Sequence, residues 1–259
     1  MLEIRHAAIR NGISTQNAYN QLYQAQDLLM RDSFYLWLLE LLQPETGKVL
    51  LDISCGQGKL TRFAANRKLH AIGLDFAITA LSKNANSKTA AQWIVGDGEQ
   101  IPISDCSVDY VTHIGSLEHY TNPLRGVQEI SRILKPQGKA CILLPNSFGL
   151  FGNIKHVWKT GEIFDDGQPL QRYGTYTTWR SLLELGGLVV LKSIPFSEVN
   201  RPRTLKDLFW ILKHPQKILR AAFSQMVPFH LTNHFVFLCQ PAASRRPKAK
   251  SYYPTFQFP

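Results

Sequence analysis

The chain has little of what several architectures require. Its four cysteines, Cys55, Cys106, Cys141 and Cys239, lie far apart and form no CxxC pair. That spacing excludes a disulfide-stapled scaffold and a cysteine zinc site, and leads us to expect reduced, mostly buried thiols in a cytoplasmic protein without a metal. No apolar run approaches the roughly 20 residues of a membrane-spanning helix. The first twelve residues carry Glu3, Arg5, His6 and Arg10 where a secretion signal would be apolar, so no membrane anchor is expected. Acidic residues are also scarce, 19 against 29 Lys and Arg, for a net charge of +10. The excess is local: Arg201, Arg203, Lys206, Lys213, Lys217 and Arg220 lie in one late segment, and Arg245, Arg246, Lys248 and Lys250 in a short tail. Such a distribution fits a solvated face and a coreless tail better than a nucleic-acid groove.

A length of 259 residues suits one α/β domain with additions. Its organising stretch is Val49 to Thr61, Val-Leu-Leu-Asp-Ile-Ser-Cys-Gly-Gln-Gly-Lys-Leu-Thr. An apolar run reaching an acid, a small-residue loop and then the helical spacing of Leu60, Phe63 and Ala64 predict a buried strand, a tight turn and a helix start. Gly56 and Gly58 allow close approach of a ligand to the backbone, and the helix start offers unpaired N–H groups. A dinucleotide fingerprint needs a third glycine three residues later, and Thr61 stands there, which weakens an oxidoreductase reading.

The stretch resembles the first motif of the class I S-adenosylmethionine-dependent methyltransferases, an acid, a hydrophobe and Gly-x-Gly-x-Gly, with Ser54 in place of the first glycine. Further segments follow in the family's order. Leu69 to Leu74 reads as a strand ending in Asp75, at the spacing where an acid meets ribose hydroxyls, and Phe76 follows as a candidate wall for adenine or a core aromatic. Gln92 to Val95 runs into Gly96-Asp97-Gly98-Glu99-Gln100-Ile101-Pro102, resembling the family's Gly-Asp-x-x-x-hydrophobe-Pro segment. That likeness implies that Asp97 accepts from the adenine amino group and Gly98 offers its N–H, with Glu99 in solvent. A fourth strand ending at His113 leads to Ile114-Gly115-Ser116-Leu117-Glu118-His119, with Asn122-Pro123 after it. Leu-Glu-His is a subgroup signature, and the resemblance implies that the His113 carbonyl meets the methionine amino group.

The resemblance implies a Rossmann-like seven-stranded sheet of order 3-2-1-4-5-7-6 with helices on both faces. It implies cofactor contacts from Asp52, Ser54, Cys55, Gly56, Gly58, Asp75, Phe76, Asp97, Gly98 and His113, with S-adenosyl-L-homocysteine as product. His119 is the candidate base because an imidazole titrates near neutral pH, and Glu118 either orients it or meets the acceptor itself. The Asp/Asn-Pro-Pro-aromatic element of the base-methylating nucleic-acid enzymes is missing after the fourth strand. The expected acceptor is therefore a small molecule, most readily an oxygen of a quinone, sugar, polyketide or lipid-linked compound. A binding subunit without activity, or a nucleotide-cofactor oxidoreductase, is the competing reading.

The rest of the chain supplies additions. Residues 14 to 42 carry one helical pattern, from Tyr19, Leu22 and Tyr23 to Phe34, Trp37, Leu38, Leu41 and Leu42, and residues 1–43 read as an N-terminal helical lid. The main domain is expected over 44–240. Within it, Pro123 opens a helix through Val127 and Ile133, and Lys135 to Gly138 turns into the strand Lys139 to Leu144. The span from Pro145 to Thr175 reads as substrate-selective loops. Thr177 or Thr178 is expected to cap a helix closed by Gly186 and Gly187, before strands at Leu188 to Leu191 and His234 to Cys239. Between those strands, 195–231 reads as a helical cap insert. Leu205, Leu208, Phe209 and Leu212 share one helical face there, expected to pack on the domain with basic residues outward; contact with an anionic membrane is the alternative. Residues 241–259 read as a basic tail.

Overall fold

The computed structural model of the chain describes residues 1–5, 15–25, 28–83, 88–197 and 201–243. Its centre is a seven-stranded sheet built from β2 (Val49–Ile53), β3 (His70–Asp75), β4 (Gln92–Val95), β5 (Val108–Ile114), β6 (Leu134–Pro145), β8 (Leu188–Phe196) and β9 (His234–Pro241). The spatial order is β4-β3-β2-β5-β6-β9-β8, with β9 antiparallel to both neighbours and the rest parallel. Counted along the sheet's own strands this is the expected 3-2-1-4-5-7-6.

The strands alternate between two cores, as a side-chain period of two demands. Leu51, Ile53, Ala140, Ile142, Leu144, Phe235 and Phe237 face a core completed by helices α5 (Pro123–Ile133) and α7 (Tyr176–Leu185). Leu50, Cys141, Leu143 and Val236 face the opposite core, under α2 (Asp32–Leu42) and α3 (Lys59–Asn66). Layers on both faces leave the carboxyl edge of the parallel strands open. The strand order reverses between β2 and β5, which is where a crevice forms.

Several boundaries differ from expectation. The N-terminal pattern is two helices, α1 (Thr15–Ala25) and α2, with Leu28 to Arg31 in neither. Asp207 of the insert accepts from the Ser33 N–H and fixes where α2 starts. Thr175, not Thr177 or Thr178, caps α7, accepting from the Thr178 N–H. Only two of the four thiols, Cys141 and Cys239, are buried. A short α4 (Ile78–Ser82) follows β3, and the expected loop region holds α6 (Lys155–Thr160) and β7 (Leu170–Tyr173). Strand β1 (Leu2–Arg5) pairs antiparallel with β7, a small second sheet that the periodicity does not signal. The insert forms α8 (Leu205–Lys213) and α9 (Pro215–Ser224). Except for residues 241–243, the expected tail lies outside the described residues. Among the described residues no helix is long and apolar enough to cross a membrane, and no cluster could hold a metal ion.

Candidate active site

At the end of β2 the chain turns through Ser54, whose φ is 53°, and enters α3 through Gly58 at φ 63°. The left-handed conformation costs a side-chain-bearing residue about 1–2 kcal/mol, which is why glycine is the family residue at the first of these positions. Ser54 shares a 2.9 Å hydrogen bond with the Tyr120 hydroxyl, a contact glycine could not make. The loop is closed by the Cys55 N–H donating to the Leu74 carbonyl.

Two carboxylates face the turn. Asp52 accepts from the Thr61 and Thr112 hydroxyls, each at 2.7 Å. Asp75 accepts from the Gly56 N–H at 2.7 Å and the Ala77 N–H at 2.9 Å. Burial raises both acids to about 6, against hydrogen bonds that pull the other way. The Thr61 backbone N–H also donates to Asp52 and the Phe76 backbone N–H to Asp75, so each carboxylate has three protein donors for its four lone-pair sites and retains acceptor capacity for a polar ligand.

Asp97, at the tip beyond β4, accepts from the Glu99 N–H with Oδ1. At Gly98 a Cβ would lie 1.8 Å from the Tyr120 hydroxyl oxygen, so only glycine fits that wall. Glu99 is half-buried rather than in solvent, and one of its carboxylate oxygens accepts from the Asn122 N–H. Over these groups lies α1, tied down by Gln16 donating to the Phe76 carbonyl and by Asn20 accepting from the Thr79 N–H. Tyr19 packs on Phe76 with ring centroids 5.5 Å apart, and its ring edge meets His119 at 6.3 Å.

Asp52, Ser54, Cys55, Gly56, Asp75, Phe76, Asp97, Gly98, Glu118 and His119 all line one cavity of about 1000 Å3. This is the upper end of the ordinary size for a ligand site, with room for a nucleoside-sized ligand and a second molecule. Two expected residues do not line it. Gly58 is buried as the turn into α3, and the lining positions there are Gln57 and Leu60. His113 is wholly buried behind the wall with neither ring nitrogen partnered, and burial depresses it to about 3. The alternation along β5 turns its ring into the protein, and Ile114, Gly115 and Ser116 form the wall instead.

The Leu-Glu-His element is a 3-10 turn at Leu117–His119, and all three residues are buried. His119 Nδ1 pairs with the Leu170 carbonyl of β7. A carbonyl only accepts, so Nδ1 carries the proton and Nε2 is left as the basic nitrogen. Glu118 does not orient the ring: its Oε1 stands 3.9 Å from Nε2, and its Oε2 is buried without a hydrogen-bond partner. Burial pushes Glu118 up to about 8 and His119 below the usual histidine range, so both favour their neutral forms.

The turn is held from outside by Arg172, which is 1% exposed. Its guanidinium donates to the carbonyls of Glu118, Tyr120 and Thr121, and its Nε to Glu3 of β1 at 2.7 Å. Leu170, Arg172, Glu3 and Tyr120 were not among the expected site residues. They act through backbone carbonyls and through a strand pairing that sets Glu3 beside Arg172, 169 residues away in sequence, for which no local motif exists.

Residues 51–142 match the family model described as a methyltransferase domain. An uncharacterized methyltransferase of Mycobacterium bovis is 30% identical over 138 residues, 52% of this chain and 53% of that protein. The 2-phytyl-1,4-beta-naphthoquinone methyltransferase of Arabidopsis thaliana is 32% identical over 109 residues, 38% of this chain and 41% of that one. The alignments thus span about half the length of the curated relatives, or less. Among solved structures, phosphoethanolamine N-methyltransferase 2 of Haemonchus contortus, in complex with phosphomonomethylethanolamine and S-adenosylhomocysteine, superposes with a TM-score of 0.59 at 18% identity. The match covers 91% of this chain and 59% of that one, a likeness of fold.

Proposed function

We propose that this chain, a class I S-adenosylmethionine-dependent methyltransferase by fold and by the family model its residues 51–142 match, methylates a hydroxyl of a small-molecule acceptor. The observation that carries the reading is the pairing of His119 Nδ1 with the Leu170 carbonyl, which leaves Nε2 as a base at the cavity wall.

The residues present fit the cofactor. Asp75 retains acceptor capacity for a ribose diol, Asp97 for an adenine amino group, and Phe76 and Gly98 offer an apolar face and a wall without a side chain. Asp52 and the loop from Ser54 to Gly56 are suited to the amino-acid end. The His113 carbonyl, next to the cavity-lining segment Ile114 to Ser116, remains the partner read for the amino group. When bound, S-adenosylmethionine supplies a methyl group already activated by its sulfonium charge.

The protein's task is then positioning and removal of one proton. His119 Nε2 would take the proton of an acceptor hydroxyl held against the cavity wall, and the bound cofactor would supply the methyl group that replaces it. Glu118, neutral below about pH 8, donates a hydrogen bond to the acceptor. Helix α1, with Tyr19 and Tyr23 on the cavity, serves as the lid that excludes water. The naphthoquinone methyltransferase relative supports a small quinone-class ring among the candidate acceptors.

Calorimetry with S-adenosylmethionine and S-adenosylhomocysteine, followed by labelled-methyl transfer to a panel of quinols, phenols and lipid-linked alcohols, tests the reading. Binding of both ligands with transfer to a hydroxyl is expected. Failure to bind either ligand, or tighter binding of NAD, would overturn it.

A further inference from the structure

Helix α8 is turned inside out relative to an ordinary surface helix. The side facing the body is polar and aromatic: Asp207 accepts from the Ser33 N–H at 2.9 Å, and Trp210 lies 4.2 Å under the Arg31 guanidinium and stacks on His214. Leu205, Leu208, Phe209 and Leu212, at i, i+3, i+4 and i+7, face solvent, with Leu205 74% exposed. Phe223 near the end of α9 and Met226 just after it are exposed as well. On the neighbouring α6, Trp158 is 83% exposed. The expected packing of the insert's apolar face on the domain is therefore not what is found.

Charge surrounds this face. Lys206 and Lys213 flank the α8 stripe and are exposed, and Lys155 and Lys159 lie beside Trp158. No acid of the described residues forms an ion pair with these lysines or with Lys217; the one acid within residues 201–232, Asp207, is already engaged by Ser33 and Thr204. The cavity opens beside the lysines: Lys155, Lys159 and Lys217 line it, as does Trp210 from the body-facing side of α8. Lys155 and Lys217 also line an adjoining groove of about 760 Å3 between α6 and α9, walled by Phe223 and Met226.

We propose that this face docks on the surface of an anionic lipid bilayer, the leucines and aromatics entering the interface and the lysines meeting the headgroups, with the cavity mouth turned toward the lipid. An apolar stripe with lysine flanks and an exposed tryptophan is what an interfacial helix requires. The same positive charge opposes a second copy of this chain as the occupant. Resting on the function proposed above, this makes the acceptor an amphiphile drawn from the bilayer.

The test uses the full chain without cofactor or acceptor, floated with vesicles of phosphatidylcholine alone or with 30 mole per cent phosphatidylglycerol. Binding to the anionic vesicles is expected, lost at 1 M salt and at least tenfold weaker on neutral ones. Lys206→Glu and Lys213→Glu should each weaken it about fivefold or more. The double variant Phe209→Glu, Leu212→Glu should abolish it while leaving the melting temperature and the S-adenosylmethionine thermal shift unchanged, since neither residue lines the cavity. Absence of binding to either vesicle, or full binding by the double variant, would overturn the proposal. So would loss of binding only on deletion of residues 244–259, or a parent dimer that the double variant makes monomeric. Because no methyl transfer is measured, failure here leaves the proposed function standing.

Discussion

Replacing Asp52 with Asn should stabilise the protein in the absence of cofactor, although Asp52 stands at the head of the glycine turn. Asp52 is 3% exposed, and burial raises it from its ordinary 3.8 to about 6. An acid whose folded value lies above its unfolded value holds its proton more tightly when folded, so its contribution to stability falls as pH rises from about 4 to about 6 and stays low above that. A shift of this size corresponds to about 3 kcal/mol. Asn keeps the local contacts, because its carbonyl accepts from one threonine hydroxyl while its amide donates to the other, whose proton rotates away. The variant should melt about 5–10 °C higher at pH 8, with the difference vanishing near pH 4. The parent should regain ground at pH 8 when S-adenosylmethionine is added, since a bound cation compensates the carboxylate; the Asp52→Asn variant should gain less. Calorimetric melts at pH 4, 6 and 8 measure this. A variant melting at or below the parent at pH 8 would refute the view that Asp52 is a charge held at a cost for a ligand.

Other expectations follow from the same geometry. His119→Ala should lower kcat by about 10²–10⁴ with little change in S-adenosylmethionine affinity, measured by single-turnover transfer and calorimetry. In the parent, the acidic limb of the rate profile should fall below pH 6.5, because burial lowers the imidazole. Glu118→Gln should keep most activity at pH 7, where the carboxyl is neutral, and hold its rate above pH 8 where the parent ionises and declines; a parent profile without that decline would remove Glu118 from contact with the acceptor. Arg172→Met leaves three carbonyls without their donor and Glu3 with Arg5 as its remaining ion-pair partner, a loss of about 3–5 kcal/mol in a thermal or urea melt. Arg172→Lys should recover only part of it, because an ammonium cannot reproduce the fork.

Much of the lining of the cavity was legible in the chain. Asp52, Ser54, Gly56, Asp75, Asp97 and Gly98 lie at strand tips, where strand, turn and helix succeed one another within a dozen residues. Local pattern there determines both conformation and position. Gly58 and the His113 ring do not line the cavity: one turns the backbone into α3 and the other follows the strand's alternation into the core, while the expectation for His113 concerned its carbonyl. Glu118 and His119 were readable as chemistry but not as a mechanism. Which nitrogen is basic depends on the Leu170 carbonyl, 51 residues away.

The sequence by itself determined the strands and the line of acids and glycines at their carboxyl ends, because these follow from short-range hydrophobic period and turn chemistry; the order of the strands was implied by the resemblance of those motifs to a known family. Tertiary structure alone decided the pairing of β1 with β7, the Arg172 clamp that depends on it, and the outward turn of the α8 leucines. An amphipathic helix has two faces, and the pattern identifies them without saying which meets the protein. That choice was made by Asp207 reaching Ser33, 174 residues away in the chain, and by Arg31 covering Trp210.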